Sequence, residues 1–239
     1  PIAVAQLRYE YELYEDDELE QAGGDILSFL LGSIFGRWDT DLSETSDEIL
    51  AFSSSNIGKG DELIKRGIES LFTEPRQARN QLEDILGKTP KDWLLDDFFR
   101  YHHCKEYRRR GQRIPIYWQL ESRNGAFSCV IYYHGIDSDT LPKLRGQYLD
   151  PRIDELENEL ETLTAQTSGD NPDSELLKRK EKVQDDLDDL REFRDTIDEM
   201  IDDSVAVKIE KGVWENIKRW DQYEVLETGL PKLKSSYSR

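Results

Sequence analysis

Cysteine, histidine and methionine are scarce in this 239-residue chain, which has two Cys, three His and one Met. Two cysteines cannot build a disulfide framework, so a reducing, cytoplasmic setting is the expectation. Long apolar runs are missing as well. The longest, Ile26 to Phe35, is interrupted by Gly32 and falls well short of the roughly 20 residues that a bilayer span needs, so no membrane partner is expected. No charged-then-apolar leader opens the chain, which argues against export, and Pro1 in place of Met reads as a piece of something longer. The few metal-ligating residues are badly spaced. His102, His103 and Cys104 are adjacent, Cys129 and His134 belong to a predicted strand, and neither C-x-x-C nor H-E-x-x-H occurs. No nucleophile elbow is present. Gly58-Lys59-Gly60 lacks a third glycine and no strand is expected before it, so it is not read as a nucleotide fingerprint. No catalytic residue, cofactor site or metal site is legible.

What the chain has in excess is acid. It carries 51 Asp and Glu against 32 Lys and Arg, a net charge of −19, with 35% charged and only 36% hydrophobic residues. Five Trp, eleven Tyr and eight Phe are nevertheless too many aromatics for a disordered acidic tail. The chain is expected to be folded. Acidity on this scale ordinarily argues against nucleic acid, because phosphates need cations. It also fits a salt-adapted surface, hydrated by carboxylates where molar salt screens their repulsion. Arg (18) outnumbers Lys (14) and the acids are spread widely; a halophilic, haloarchaeal source is the reading adopted. The charge is uneven along the chain. Residues 1–50 carry 13 acids and two bases, net −11; residues 51–149 carry 13 and 16, net +3; residues 150–203 carry 20 and seven, net −13; residues 204–239 are net +2.

Periodicity predicts a mainly α fold with a small β component (α+β). Helices are expected over 2–20 and 25–38, where Gly32 and Gly36 would let another backbone approach closely, with a loop at 39–47. Further helices are expected over 59–86, with Pro75 at a helix start and Gly87 at its end, and over 90–110. The period then falls to two in IPIYWQL (114–120) and AFSCVIYY (126–133), and Asn124-Gly125 between them is a strong hairpin signal. Residues 141–203 read as an antiparallel coiled-coil arm: Ile153, Leu156, Leu160 and Leu163 on one helix, a turn at 164–174, then Leu176, Val183, Leu190 and Ile197 seven apart. Its acids are read as a solvated face. VAVKI (205–209) is expected as a short strand, followed by a helix from Gly212 to Trp220. The predicted organisation is a helical domain over 1–140 ending in the β-hairpin (114–134), the arm over 141–203, and a C-terminal strand and helix over 204–239 packing back on the first domain.

One stretch stands above this background. RYHHCKEYRRRGQR (100–113) holds six bases and one acid, net +5 within a chain of net −19. Cations at the end of a helix are favoured by its dipole, which is one account of the cluster. Contact with phosphates through Lys105, Arg108, Arg109, Arg110 and Arg113 is the other, with the hairpin aromatics Tyr117 and Trp118 close behind in sequence.

The run from this segment into IPIYWQLESRNGAFSCVIYYHG resembles the C-terminal region of PglX-type adenine-specific DNA methyltransferases of BREX phage-defence systems. There H-x-K-x-Y-x-x-R-P-I-Y-W precedes a similar hairpin ending in Tyr-x-His. The matching positions are His103, Lys105, Tyr107, Pro115, Ile116, Tyr117 and Trp118, then Tyr132 and His134. DTLPKLRGQYLDPRIDELE (139–157), GDILSFLLGSIFGRWD (24–39) and DDSVAVKIEKG (202–212) are similar to further segments of that family. The chain departs from the family in having neither the Asn/Asp-Pro-Pro-aromatic catalytic loop nor the glycine-bearing S-adenosylmethionine motif; Asn171-Pro172 continues with Asp173. Gly111-Gln112 also lengthens the spacing before the first strand. The resemblance implies a non-catalytic C-terminal portion of an adenine-N6 methyltransferase. It would aid recognition of double-stranded DNA or docking of other BREX proteins through the arm, with the Gly125 turn against the duplex and the cofactor held elsewhere in the parent. The alternative is a non-enzymatic protein-interaction module built on the coiled-coil arm.

Overall fold

The computed structural model describes residues 16–38, 49–52, 60–101, 108–109, 112–113, 115–169, 173–205 and 207–227. The expected loops at 39–47 and around Ser53–Gly58, and all but the last turn of the helix expected over 2–20, lie outside them. The fold is mainly α with a small β component, as expected. The chain divides into two compact units, the first ending at Pro115 and the second taking up the chain at Ile116. The β-hairpin groups with the arm and the C-terminal segment in the second unit.

In the first unit, helix α1 (Asp16–Ile34) buries Leu27, Leu30, Leu31 and Ile34. It ends in a Schellman turn: Gly36 at φ +68° donates to the Ser33 carbonyl at 3.0 Å, and Arg37 donates to the Gly32 carbonyl at 2.8 Å. Gly36 thus stops the helix rather than lying on its packing face. Strand β1 (Ile49–Phe52) follows. It was not expected, and it removes one of the two grounds for rejecting the glycines at 58 and 60; the missing third glycine remains. Helices α2 (Gly60–Leu71) and α3 (Pro75–Leu86) bury Ile64, Ile68, Ala78, Leu82 and Leu86. Pro75 opens α3 and Gly87, at φ +68°, closes it, both as the sequence predicts. Gly67 and Gly23 mark two close approaches involving α1. A Cβ on Gly67 of α2 would run into Cδ1 of Leu30, and one on Gly23 would meet Leu86 at 3.1 Å and Ile85 at 3.2 Å.

The helix expected over 90–110 is broken. Helix α4 (Pro90–Asp96) is capped by Thr89, whose hydroxyl accepts from the Asp92 amide at 3.1 Å, and it buries Trp93 and Leu94. A single turn, α5 (Phe98–Tyr101), follows, with Phe98 6.1 Å from Trp93 between ring centroids.

The second unit starts with the predicted hairpin. Strands β4 (Tyr117–Glu121) and β5 (Ser128–Tyr132) pair antiparallel, from Tyr117 opposite Tyr132 to Glu121 opposite Ser128. (The labels β2 and β3 belong to a short ribbon, Arg108–Arg109 and Gln112–Arg113, described below.) A one-turn helix α6 (Thr140–Lys143) passes through a π-helical turn (Leu144–Leu149) into α7 (Asp150–Gln166). Pro151 has no N–H and its ring would strike the carbonyl four residues back, which is the physical reason for a widened turn here. Helix α8 (Ser174–Asp202) returns along α7, capped by Asp173, whose carboxylate accepts from the Glu175 amide at 2.8 Å. The turn falls where the sequence placed it. Ile153, Leu156 and Leu163 of α7 and Val183, Leu187, Leu190 and Ile197 of α8 are buried.

No strand forms at 205–209. Helix α8 ends in a second Schellman turn, with Ser204 at φ +52° donating to Ile201 and Val205 donating to the Met200 carbonyl, both at 2.9 Å. Ile209–Lys211 is a 3-10 turn before helix α9 (Val213–Trp220). The C-terminal segment joins the β structure further on. Leu226 bridges Leu120, Glu121 donates to the Val225 carbonyl at 3.1 Å and Glu227 donates to Gln119 at 2.9 Å, so β4 is flanked on both edges within this unit.

Gly67→Ala is expected to destabilise the chain by about 1–3 kcal/mol through overpacking, measured by urea denaturation. If the contact with Leu30 is the cause, Leu30→Ala combined with Gly67→Ala will cost clearly less than the sum of the two single changes.

Candidate nucleic-acid interface

Part of the basic stretch forms β structure. Arg108 and Arg109 form strand β2, paired antiparallel with strand β3 at Gln112 and Arg113: Arg108 stands opposite Arg113 and Arg109 opposite Gln112. The four residues make a minimal ribbon, linked by Arg110 and Gly111. Those two link residues, and Lys105, lie outside the described residues. The last described helix before the ribbon, α5, ends at Tyr101. The ribbon includes Gln112, one of the two residues that stretch the spacing in the sequence, and it puts two arginines at one cross-strand register position.

Tyr117 and Trp118, expected beside the cluster as contact residues, are both 0% exposed. Tyr117 packs on Tyr132, with centroids 5.6 Å apart, and Trp118 lies between Tyr133 at 5.1 Å and the edge of Trp220 at 5.3 Å. Their rings cannot reach a ligand without unfolding the hairpin. Both faces of β4 are covered, which explains why Ile116, Tyr117, Trp118 and Leu120 are all buried when strict alternation would expose every second residue.

The hairpin turn is occupied as well. Gly125, at φ +77°, supplies the left-handed residue that the Asn-Gly signal predicts. The amides on either side of it point at α8. Asp189 Oδ1 accepts from the Asn124 amide at 3.0 Å and Oδ2 from the Ala126 amide at 3.2 Å. Asp189 is 3% exposed, so these charge-assisted bonds compensate a carboxylate taken out of water. One turn further along α8, Phe193 meets Phe127 at 5.9 Å. The turn expected against a duplex is thus bound to the arm, and one of the arm's acids is a structural ligand rather than part of a solvated face. Sequence reasoning missed Asp189, since nothing in the sequence separates it from its many acidic neighbours.

The C-terminal segment is fastened by a second buried polar group. Asn216, 0% exposed, accepts the Lys208 amide at 2.8 Å. Its amide nitrogen lies 2.8 Å from the Lys208 carbonyl, 2.9 Å from the Gly212 carbonyl and 3.0 Å from the Tyr133 hydroxyl, two protons shared among three acceptors. On β4, burial and the neighbouring Glu227 push the Glu121 carboxyl above its ordinary value. Cys129 is fully buried on β5 with its thiol pushed strongly up, and so is inert. His134 sits in the exposed 3-10 turn Tyr133–Gly135 rather than on the strand.

With this geometry in place, the similarities to known proteins can be weighed. The chain is 24% identical over 225 residues to the adenine-specific methyltransferase PglX of Lacticaseibacillus casei strain Zhang, covering 80% of this chain and 18% of that protein. It is 24% identical over 156 residues to the adenine-specific methyltransferase BrxX of Escherichia coli O9:H4 strain HS, covering 64% of this chain and 12% of that protein. The chain is a distant relative of BREX-type adenine-specific methyltransferases. It spans less than a fifth of the length of either relative. No family model matches it. The relationship to PglX takes in most of the chain and so is not a product of the basic stretch alone. Among the described residues no helix is long and apolar enough to cross a membrane.

Two expectations follow. Asp189→Ala should cost about 1–3 kcal/mol by removing the acceptor of two partly buried amides, and should speed hydrogen exchange at Asn124 and Ala126 ahead of global unfolding. Glu121 has a folded pKa above its unfolded value, so its stabilising contribution is present below about 4.5 and is lost as pH rises through the folded value. Glu121→Gln should therefore raise the melting temperature at pH 7, with the gain disappearing as pH falls below about 4.5.

Proposed function

We propose that this chain is a non-catalytic portion, C-terminal by its resemblance, of an adenine-specific DNA methyltransferase of a BREX phage-defence system, and that it contributes to recognition of double-stranded DNA. The observation that carries the reading is the ribbon. Arg108 faces Arg113 across two strands of two residues each, in a chain whose net charge is −19. Like charges at one cross-strand position are relieved by an anion, and a phosphodiester backbone supplies anions at regular spacing. Lys105, Arg109 and Arg110 extend the same basic stretch in sequence. The distant relationship to PglX and BrxX supports the methyltransferase context.

Catalysis would lie elsewhere in the parent. The sequence has no Asn/Asp-Pro-Pro-aromatic loop and no glycine-bearing cofactor motif. A cytoplasmic location and a salt-adapted surface belong to the same reading. A partner-binding role for the arm as a coiled coil, with other BREX proteins, is the second reading. It is favoured by the solvent-facing Leu177, 43% exposed on α8.

The test is duplex binding by the 239-residue chain, followed by fluorescence anisotropy over a range of salt. Arg108→Glu with Arg113→Glu should weaken binding to unrelated duplexes alike and lower the salt slope by about two, one for each phosphate contact removed. Unchanged affinity and slope would sink the phosphate assignment. Loss of partner capture on deletion of 152–203, with DNA binding intact, would favour the second reading.

A further inference from the structure

Among the described residues of the first unit, a concave site is lined by three cations. A cleft of about 440 Å³ opens between α2, α3 and α4. Its floor is apolar, formed by Ile64 and Ile68, which are 5% and 3% exposed. Its walls carry one cation from each helix: Lys65 from α2, Arg79 from α3 and Lys91 from α4. The carboxylate in the lining, Asp92, already accepts the Thr89 hydroxyl at 2.7 Å. Arg79 uses its Nε on Glu83 at 2.9 Å, across a surface pair half open to solvent, which leaves its terminal nitrogens as donors.

Three cations from three helices around one apolar floor are not what helix propensity or dipoles require, since the three sit at different places along their helices. We propose that this cleft seats a phosphodiester of a DNA strand, with the cations on the phosphate and the Ile64–Ile68 floor under the adjoining sugar. The inference rests on the DNA reading above and adds a second contact to it. Long cations on the walls, with Lys65 and Arg79 exposed and Lys91 half-buried, suit a backbone that passes through, as in strand-tracking grooves. They suit an enclosed small ligand less well, because such sites bury most of the ligand surface. Arg79 and Lys91 then position the strand while carrying no sequence information themselves.

The experiment uses the same chain and the same duplex titrations. Lys65→Glu with Lys91→Glu should weaken duplex binding about tenfold and reduce the salt slope by about two. The reference is Lys180→Glu with Lys182→Glu on α8, which imposes the same change in net charge away from the cleft. Circular-dichroism melts establish that both variants are folded. If the cleft variant binds no worse than the α8 variant while Arg108→Glu with Arg113→Glu still weakens binding, the cleft assignment is wrong and the DNA reading stands. If the unsubstituted chain binds no duplex even at low salt, both fall. A free deoxynucleoside monophosphate that binds as tightly as the duplex, and loses affinity in the cleft variant, would make the site a small-ligand pocket and overturn the strand assignment.

Discussion

The second unit depends on one buried carboxylate. Asp189 sits mid-way along a long acidic helix, yet its two oxygens are committed to the amides on either side of Gly125. Two simultaneous acceptor contacts fix both the rotation of α8 and its position along its axis against the hairpin turn. Phe193 meeting Phe127 four residues later confirms the register from the apolar side. The same rotation turns Leu187, Leu190 and Ile197 inward, and these are the residues with which α8 buries its stripe. A helix so placed can carry the remaining acids outward at little cost, and this reconciles a net charge of −13 over 150–203 with a folded structure.

From α8 the constraint passes to the helix that precedes it. Arg145, in the π-helical turn, bonds Asp198 of α8 at 2.6 Å and Asp150 of α7 at 2.8 Å. The extra residue of a π turn rotates every side chain after it by a large fraction of a turn, so its position decides which face of α7 meets α8. Pro151 sets where the widened turn falls, and Arg145 ties it to the partner helix. At the other end, the hairpin is closed by residues about a hundred positions away: Trp220 against Trp118, Asn216 against Tyr133, and Leu226 beside Leu120. Three segments distant in sequence thus share one small core.

That sharing explains what could and could not be seen in the sequence. Elements whose evidence is local were legible: the apolar period of α3, α7 and α8, the Pro75 start and Gly87 end, the Asn124-Gly125 turn. Elements decided by remote partners were not. Tyr117 and Trp118 read as an exposed aromatic pair because nothing nearby announces that Trp220 and the 225–227 segment will cover them. VAVKI reads as a strand by composition, but Val205 is used to cap α8 and Lys208 is held on both its backbone groups by Asn216. The helix expected through 110 reflects the good helix propensity of Arg and Lys. A ribbon two residues long is too short to register against that signal. The candidate interface was legible as a charge cluster, while the cross-strand placement of its arginines and the cleft at Lys65, Arg79 and Lys91 depend on geometry.

The remaining question is how a chain of net −19 could approach a polyanion at all, and the answer lies in distance. At ~0.1 M salt the Debye length is ~10 Å, and in molar salt ~3 Å. Charges further from a phosphate than this hardly act on it. The total is therefore a poor guide, because it sums every charge of the chain whatever its distance from a phosphate. What matters is the sign within one Debye length of the contact. There the ribbon offers two arginines at one register position, and the cleft offers a cation from each of three helices. Higher salt removes the repulsion from the arm and much of the counterion-release gain together. On the proposed reading, a DNA contact at high salt draws more of its affinity from shape and from apolar surface such as the Ile64–Ile68 floor.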